Sequence, residues 1–92
     1  MLVFAHHNIQ NPDIFWKKAK ETTSNLPPNL KVHGIYPSPD GKLATCFWEA
    51  DRVEDVQQLL DEAVGNVSVN LCYELNEQEA IGVPQIDHEE HA

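Results

Sequence analysis

The chain of 92 residues is long enough for one small hydrophobic core and too short for two, so a single domain over 1–92 is expected. Its composition, 41% hydrophobic and 23% charged residues, is that of an ordinary globular protein and excludes collagen-like and wholly disordered classes. Fifteen Asp and Glu outnumber six Lys and Arg, giving a formal net charge of −9 at pH 7, which disfavours nucleic acid and anionic membranes as partners.

The apolar run nearest the N-terminus covers only residues 2–5. It has no basic residues before it, and His6, His7 and Asn8 follow it, a pattern typical of neither a signal peptide nor a membrane-spanning helix. A soluble, cytoplasmic protein is therefore expected.

The first predicted elements are a strand and a helix. Residues 2–7 are apolar and β-prone, and Asn11, Pro12 and Asp13 are the residue types of a helix N-cap, a first helical position and a first turn. A helix is expected from about Pro12 to Thr23, with Phe15 and Ala19 on its apolar face. The prolines within residues 26–29 then end it.

A β-hairpin follows. Residues 31–36 and 42–49 are rich in β-branched and aromatic types, and the five residues between them, Pro37 to Gly41, are turn formers. Two strands joined by a tight turn are therefore predicted.

The second helix has the clearest pattern. Residues 51–54 resemble a capping box led by Asp51, an apolar stripe runs to Val64, and Gly65 is placed to stop the helix. From residue 67 to 74, apolar Val67, Val69, Leu71 and Tyr73 alternate with polar or small residues, which predicts a strand with one apolar face. The ordered core is expected over about 2–86, and the acidic, His-containing end at about 87–92 is expected to be mobile.

The resulting order, β-α-β-β-α-β, predicts a ferredoxin-like α+β fold. In this arrangement two helices cover one face of a four-stranded antiparallel sheet with strand order 4-1-3-2, and the other face is bare. Exposed apolar side chains on the bare face would be costly at about 25 cal/mol per Å², so self-association through that face is expected.

The segment Cys46-Phe47-Trp48-Glu49-Ala50-Asp51, the acidic helix after it and the Val-rich last strand resemble the dimeric α+β barrel superfamily. More closely, they resemble small uncharacterised bacterial proteins of that superfamily, which are related to a nickel-binding group. The resemblance implies a homodimer whose two sheets close into a barrel. It implies no single activity, since the superfamily includes cofactor-free monooxygenases, lactone isomerases and haem-degrading enzymes.

Pairing Tyr36 with Lys42 in the hairpin separates its side chains into two faces. The bare face then receives, at alternating positions, His33, Ile35, Leu43, Thr45, Phe47 and Glu49, unless a β-bulge inverts the assignment. His6 and His7 are adjacent in a strand and must point to opposite faces. Superposing the two helix starts favours His7 for the bare face, although the choice between the two histidines stays open.

The two cysteines are expected to be free. Cys46 and Cys72 lie on strands separated by strand 1, about 9 to 10 Å apart, which is too far for a disulfide. Neither a CxxC motif nor a nucleotide-binding glycine pattern is present, and no nucleophilic triad can be argued from single residues on strands.

The first functional hypothesis is a homodimer that binds a small, partly apolar molecule in a cavity over the bare face. His33 and His7 are the candidate catalytic bases, and His7, His33, Ile35, Thr45, Phe47 and Glu49 are the candidate ligand-binding residues. Any reaction would be cofactor-free and monooxygenase- or isomerase-like.

Two alternatives stay open. Five histidines make a divalent transition-metal, nickel-type binder conceivable, but the predicted hairpin register separates His33 from Glu49 by about 13 Å, and His88 and His91 lie in the predicted tail. No metal ligand set is therefore assigned. The other alternative is a non-enzymatic interaction module whose dimer face is packed solid.

Overall fold

The computed structural model describes residues 1–82, and it contains the predicted elements in the predicted order. The strands are β1 (Leu2–Ile9), β2 (Leu30–Pro37), β3 (Leu43–Ala50) and β4 (Ser68–Glu74), and the helices are α1 (Pro12–Thr23) and α2 (Val53–Val64). The ferredoxin-like prediction is confirmed. The predicted mobile tail at 87–92 lies outside the described residues. Within residues 1–82, no helix is long and apolar enough to cross a bilayer.

The four strands form one antiparallel sheet in the order β2-β3-β1-β4, as predicted. β1 lies in the centre, and Ala5 pairs with Cys46 on one side and with Cys72 on the other. The two cysteines are thus held two strands apart and are free, as expected.

The ends of the two helices differ in their capping. The side chain of Asn11 accepts a hydrogen bond from the backbone N–H of Ile14 at 3.2 Å and caps α1 as predicted. The predicted capping box at Asp51 is wrong, because the N-cap of α2 is Arg52 and no side chain bonds to the helix start. Gly65 ends α2 with an ordinary right-handed φ of −62°.

Both helices cover the same face of the sheet. Val3 and Ala5 of β1 pack with Trp48 of β3 and with Val56 and Leu60 of α2 in one buried cluster. A second cluster joins the end of β1 to α1 and the end of α2 through Ile9, Phe15, Ala44, Val64 and Val67. The odd-numbered residues of β1 therefore point toward the helices.

The surface that the helices leave uncovered is called the open face. It carries the even-numbered residues of β1 and their partners on the neighbouring strands, in cross-strand rows. The rows are Lys31–Glu49–Leu2, Gly34–Phe47–Phe4–Tyr73, Tyr36–Thr45–His6–Leu71 and Leu43–Asn8–Val69.

The register of the hairpin differs from the predicted one along its whole length: Tyr36 pairs with Thr45, three residues from the predicted partner Lys42, and a β-bulge lies between Val32 and Gly34. Val32 pairs with Trp48, whereas Gly34 pairs with Phe47, so His33 is one residue in excess on β2. The predicted pairing is therefore wrong. The residue most affected by the difference in register is Ile35. It pairs with Cys46 and faces the helices instead of the open face.

Candidate functional site

The open face is unusually apolar for a surface that nothing covers within residues 1–82. Val69, Leu71 and Tyr73 are 65%, 61% and 45% exposed, although the sequence pattern marks them as the apolar face of β4. Tyr36 and Leu43 at the other side of the sheet are 60% and 56% exposed. Contiguous apolar surface of this kind marks binding or association sites in soluble proteins.

The polar face of β4 points the other way, toward α2. Ser68 is buried and donates to the Val64 carbonyl at 3.2 Å, and the amide of Gln57 donates to the Asn70 carbonyl at 2.8 Å. The same Gln57 accepts from the backbone N–H of Cys72 at 3.1 Å. These bonds fix the orientation of the strand, so its apolar side chains are directed to the open face.

Stacked aromatic rings form the centre of the open face. The rings of Phe4 and Phe47 lie 4.9 Å apart at 22°, and Tyr73 lies 6.1 Å from Phe4. The Tyr36 ring lies over Gly34, where any Cβ would collide with it. The result is an aromatic floor on which a flat apolar group can rest.

His33 and Glu49 form a polar pair beside this floor. His33 Nε2 lies 3.0 Å from Glu49 Oε1, and their side chains are 14% and 41% exposed. The separation of about 13 Å expected from the sequence is wrong, because β2 pairs with residues of β3 two to three positions farther along than predicted, which places His33 beside Trp48 and Phe47 instead of opposite Thr45. In the neutral tautomer with the proton on Nε2, this N–H donates a hydrogen bond to the carboxylate, and Nδ1 is left as a base.

His6, and not His7, is the second histidine of the open face. His6 pairs with Thr45, its Nδ1 lies 3.2 Å from Thr45 Oγ1, and its ring lies 5.6 Å from Tyr73. The prediction that His7 faces the cavity is wrong, because His7 is 2% exposed and contacts Phe15 of α1. That prediction superposes the starts of the two helices. The N-cap of α2 lies one residue later than the superposition assumes, so the superposition does not show which residues of β1 face the helices.

Four of the six predicted ligand-binding residues thus share the open face: His33, Thr45, Phe47 and Glu49. His7 and Ile35 lie on the other side of the sheet. The residues that the sequence missed are Phe4, His6 and the apolar residues of β4. The apolar residues Val3, Ala5 and Ile9 alternate along β1 and indicate which side of the strand faces the core. This pattern would have placed Phe4 and His6 on the opposite side.

The cavities of the single chain are shallow on this side. A groove of about 380 Å³ lies at the Tyr36 and Leu43 end, with His6 and Thr45 among its lining. A larger groove of about 860 Å³, between α1 and the β2–β3 turn, contains none of the predicted site residues.

Metal ligands do not converge in the described part of the chain. Among residues 1–82, no three His, Cys, Asp or Glu side chains are close enough together to hold an ion. His88 and His91, considered above as additional ligands, lie outside the described residues.

No protein-family model matches the chain, and comparisons with curated proteins and with solved structures found no significant match. The resemblance to the dimeric α+β barrel superfamily therefore stays a prediction.

Proposed function

We propose that the protein is a homodimer that binds a small, partly apolar molecule between two open faces, with His33 as a proton acceptor oriented by Glu49. The observation that carries this proposal is the orientation of β4. Its apolar side chains Val69, Leu71 and Tyr73 point away from the helices, while its polar side chains are hydrogen-bonded beneath them.

A second copy of the chain is the partner that the charge distribution favours. The only Lys, Arg, Asp or Glu residues in the four cross-strand rows are Lys31 and Glu49, which are direct partners. The net charge of −9 therefore resides elsewhere. Two such faces can approach without repulsion between like charges, and the core of a protein interface is typically depleted of charge.

Magnitudes point to a dimer that its ligand strengthens. Covering five half-exposed apolar side chains on each of the two chains contributes on the order of 1 kcal/mol per side chain at about 25 cal/mol per Å². Association costs about 4–15 kcal/mol of translational and rotational freedom. The free energy gained by burial and the free-energy cost of association are comparable. A ligand that fills the space between the two faces therefore stabilises the dimer.

The pair of His33 and Glu49 defines the chemistry proposed for this space. The Nδ1 atom of His33 takes a proton from an acidic C–H or O–H group of the ligand, whose flat part rests on the accessible rings of Phe4 and Tyr73. The imidazolium that forms stays beside the Glu49 carboxylate, 3.0 Å away, and is stabilised by it. Such a step suits the cofactor-free isomerase- or monooxygenase-like reactions that the superfamily resemblance implies.

Sedimentation and dye binding test the dimer and its cavity. The unmodified chain is expected to sediment as a dimer and to bind the neutral apolar dye Nile red. Leu71→Lys should give a monomer and weaken dye binding at least about tenfold, because a buried lysine charge is costly. Ile14→Lys is the matched control, since Ile14 is a 42% exposed residue of α1 and should change neither property. A monomeric unmodified chain at high concentration contradicts the proposal.

Deuterium exchange tests the proton acceptor. Phenylacetone is a partly apolar carbon acid, and the protein is expected to accelerate exchange of its α-protons in D2O, as followed by NMR. His33→Gln should lower this acceleration by about 100-fold, the usual contribution of a general base, and Glu49→Gln should lower it less. His6→Gln should leave it within about twofold. Unchanged acceleration in His33→Gln would remove His33 from the mechanism.

A further inference from the structure

Three side chains on the opposite side of the sheet from the open face form a hydrogen-bonded series. The Sγ atom of Cys46 lies 3.0 Å from Nε2 of His7, and Nδ1 of His7 lies 2.8 Å from Oδ1 of Asn70. The thiol, the imidazole and the amide come from β3, β1 and β4, which are neighbours in the sheet. This is the order of nucleophile, base and orienting group that thiol catalysis requires.

The partners of Asn70 determine which proton lies where. Its Nδ2 donates to Asp61 Oδ1 at 3.1 Å, and its Oδ1 also accepts from Ser68 Oγ at 2.6 Å, so the amide oxygen faces His7. His7 therefore carries its proton on Nδ1, and its Nε2 is free to accept the proton of the Cys46 thiol. Asn70 is thus a positioning residue.

A small cavity adjoins the thiol and the imidazole. It has a volume of about 20 Å³, and it extends from His7 and Cys46 beneath α1 to the half-buried Thr22 and Thr23 at the end of that helix. A space of this size holds only a group about as large as one water molecule, such as the carbonyl oxygen of an acyl group, so an acyl donor reaches the thiol only when α1 moves away from the sheet. α1 is the more weakly held helix, because Phe15 is its only buried residue, whereas α2 buries three.

A further donor belongs to the same cavity. Trp48 lines it and is 1% exposed, and its indole N–H, which meets no strict hydrogen-bond acceptor among residues 1–82, is near enough to the Cys46 sulfur to lower the pKa of the thiol. A buried N–H group without an acceptor is rare and unfavourable in folded proteins. The N–H of Trp48 is therefore placed to donate to an oxygen atom that forms on a carbon bound to the Cys46 sulfur.

We propose that Cys46, His7 and Trp48 form a thiol acylation site that accepts a small acyl group from an activated ester or thioester. The Sγ–C bond forms as Nε2 of His7 takes the thiol proton and the carbonyl electron pair moves to oxygen, toward the Trp48 N–H. When the carbonyl re-forms, the bond to the leaving group breaks, and that group takes the proton from His7. The products are S-acyl Cys46 and an alcohol or thiol.

Burial sets the resting state of the site. It raises the pKa of the Cys46 thiol to about 12, against an opposing contribution from the Trp48 N–H, and it lowers the pKa of His7. Thiol and imidazole are therefore both neutral at rest, and His7 removes the proton only as the new bond forms. The reaction is expected to be slow without an acyl donor that fits the cavity.

Cys72 provides a control within the same chain. It lies two strands from Cys46 on the same face, it is more exposed, and burial raises its pKa to about 11. Its thiol has no hydrogen-bond partner among residues 1–82. Access and acidity alone therefore favour reaction at Cys72, whereas an adjacent base and N–H donor favour Cys46.

Acetylation by p-nitrophenyl acetate, located by peptide mass spectrometry, tests the proposal. In the unmodified chain, Cys46 should be acetylated at least about tenfold faster than Cys72. His7→Gln should slow the reaction at Cys46 by about 100-fold and leave the rate at Cys72 unchanged. In Asn70→Ala, the imidazole nitrogen shifts of His7 should report a mixture of tautomers. Faster acetylation of Cys72, equal rates, or no acetylation at either thiol overturns the proposal.

Discussion

The register of β2 against β3 creates the polar part of the open face. His33 was expected opposite Thr45, four residues from Glu49, but it lies between the residues that pair with Trp48 and Phe47, and its side chain is 3.0 Å from that of Glu49. Bulges often re-aim a side chain beside a functional site. A hydrogen bond from the imidazole to a carboxylate fixes the tautomer of the imidazole.

His7 makes folding stability sensitive to acid. Burial lowers the pKa of His7 below its usual 6.5, and the hydrogen bond with Asn70 opposes this only in part. Below pH 6.5 the unfolded chain therefore binds a proton that the folded chain excludes. The free energy of unfolding should fall as the pH decreases from about 6.5, by at most about 1.4 kcal/mol per pH unit from this residue.

Urea unfolding at pH 7.5 and at lower pH measures this slope. His7→Gln should reduce it, because the substituted side chain does not titrate. His6→Gln is the matched control, since His6 is an exposed neighbour on the other face of β1. Equal slopes in the unmodified chain and in His7→Gln would show that His7 is not the group responsible.

At the level of elements, β4 is an edge strand whose outer edge is partly covered by a side chain. Gln57 of α2 donates to the Asn70 carbonyl and accepts from the Cys72 N–H, so two backbone groups of the edge are already paired. Covering an edge in this way reduces pairing with other chains. The face of β4, with Val69, Leu71 and Tyr73, is then its main surface for association.

The two helices differ in whether a side chain caps their N-terminus, and this difference can be tested by measuring stability. Asn11 caps α1 through a side-chain hydrogen bond, whereas Asp51, before α2, makes none to the helix start. Asn11→Ala should lower the free energy of unfolding by about 1 kcal/mol, the usual cost of losing an N-cap. Asp51→Ala should change it by less than about 0.5 kcal/mol. Urea unfolding compares the two, and a larger loss in Asp51→Ala would contradict this assignment of the caps.

At the level of the whole molecule, charge and apolar surface are separated. The open face carries Lys31 and Glu49 as a pair, while α2 alone contributes Glu54, Asp55, Asp61 and Glu62. A dimer formed through the open face would hold two chains of charge −9 together. Long-range repulsion should therefore weaken association at low ionic strength, where the screening length is about 30 Å at 0.01 M salt.

Salt titration of the dimer tests this separation. Raising the salt concentration from about 0.01 M to about 0.15 M shortens the screening length to about 8 Å. The dissociation constant measured by sedimentation equilibrium should therefore decrease. An increase with salt would indicate that ion pairs across the interface hold the chains together, which does not fit two apolar faces.

The sequence by itself determined the elements, their order and the sheet topology. Local patterns were enough for the elements: the periodicity of the helices, the helix start at Asn11-Pro12 and the turn of the hairpin. Each involves only a few neighbouring residues, so it can be recognised in a single sequence. Phe47, Thr45 and Glu49 were placed together on one face of β3 for the same reason, since strand alternation is local.

Only the tertiary structure decided how the strands meet. The bulge at His33, the choice of His6 over His7, and the direction of the apolar face of β4 depend on partners about 14 to 70 residues away along the chain. The contacts of His7 with Cys46 and with Asn70 also depend on distant residues, because β1, β3 and β4 must align before they form. A shift of one residue reverses every side chain of a strand, so alternation alone cannot say which face is covered.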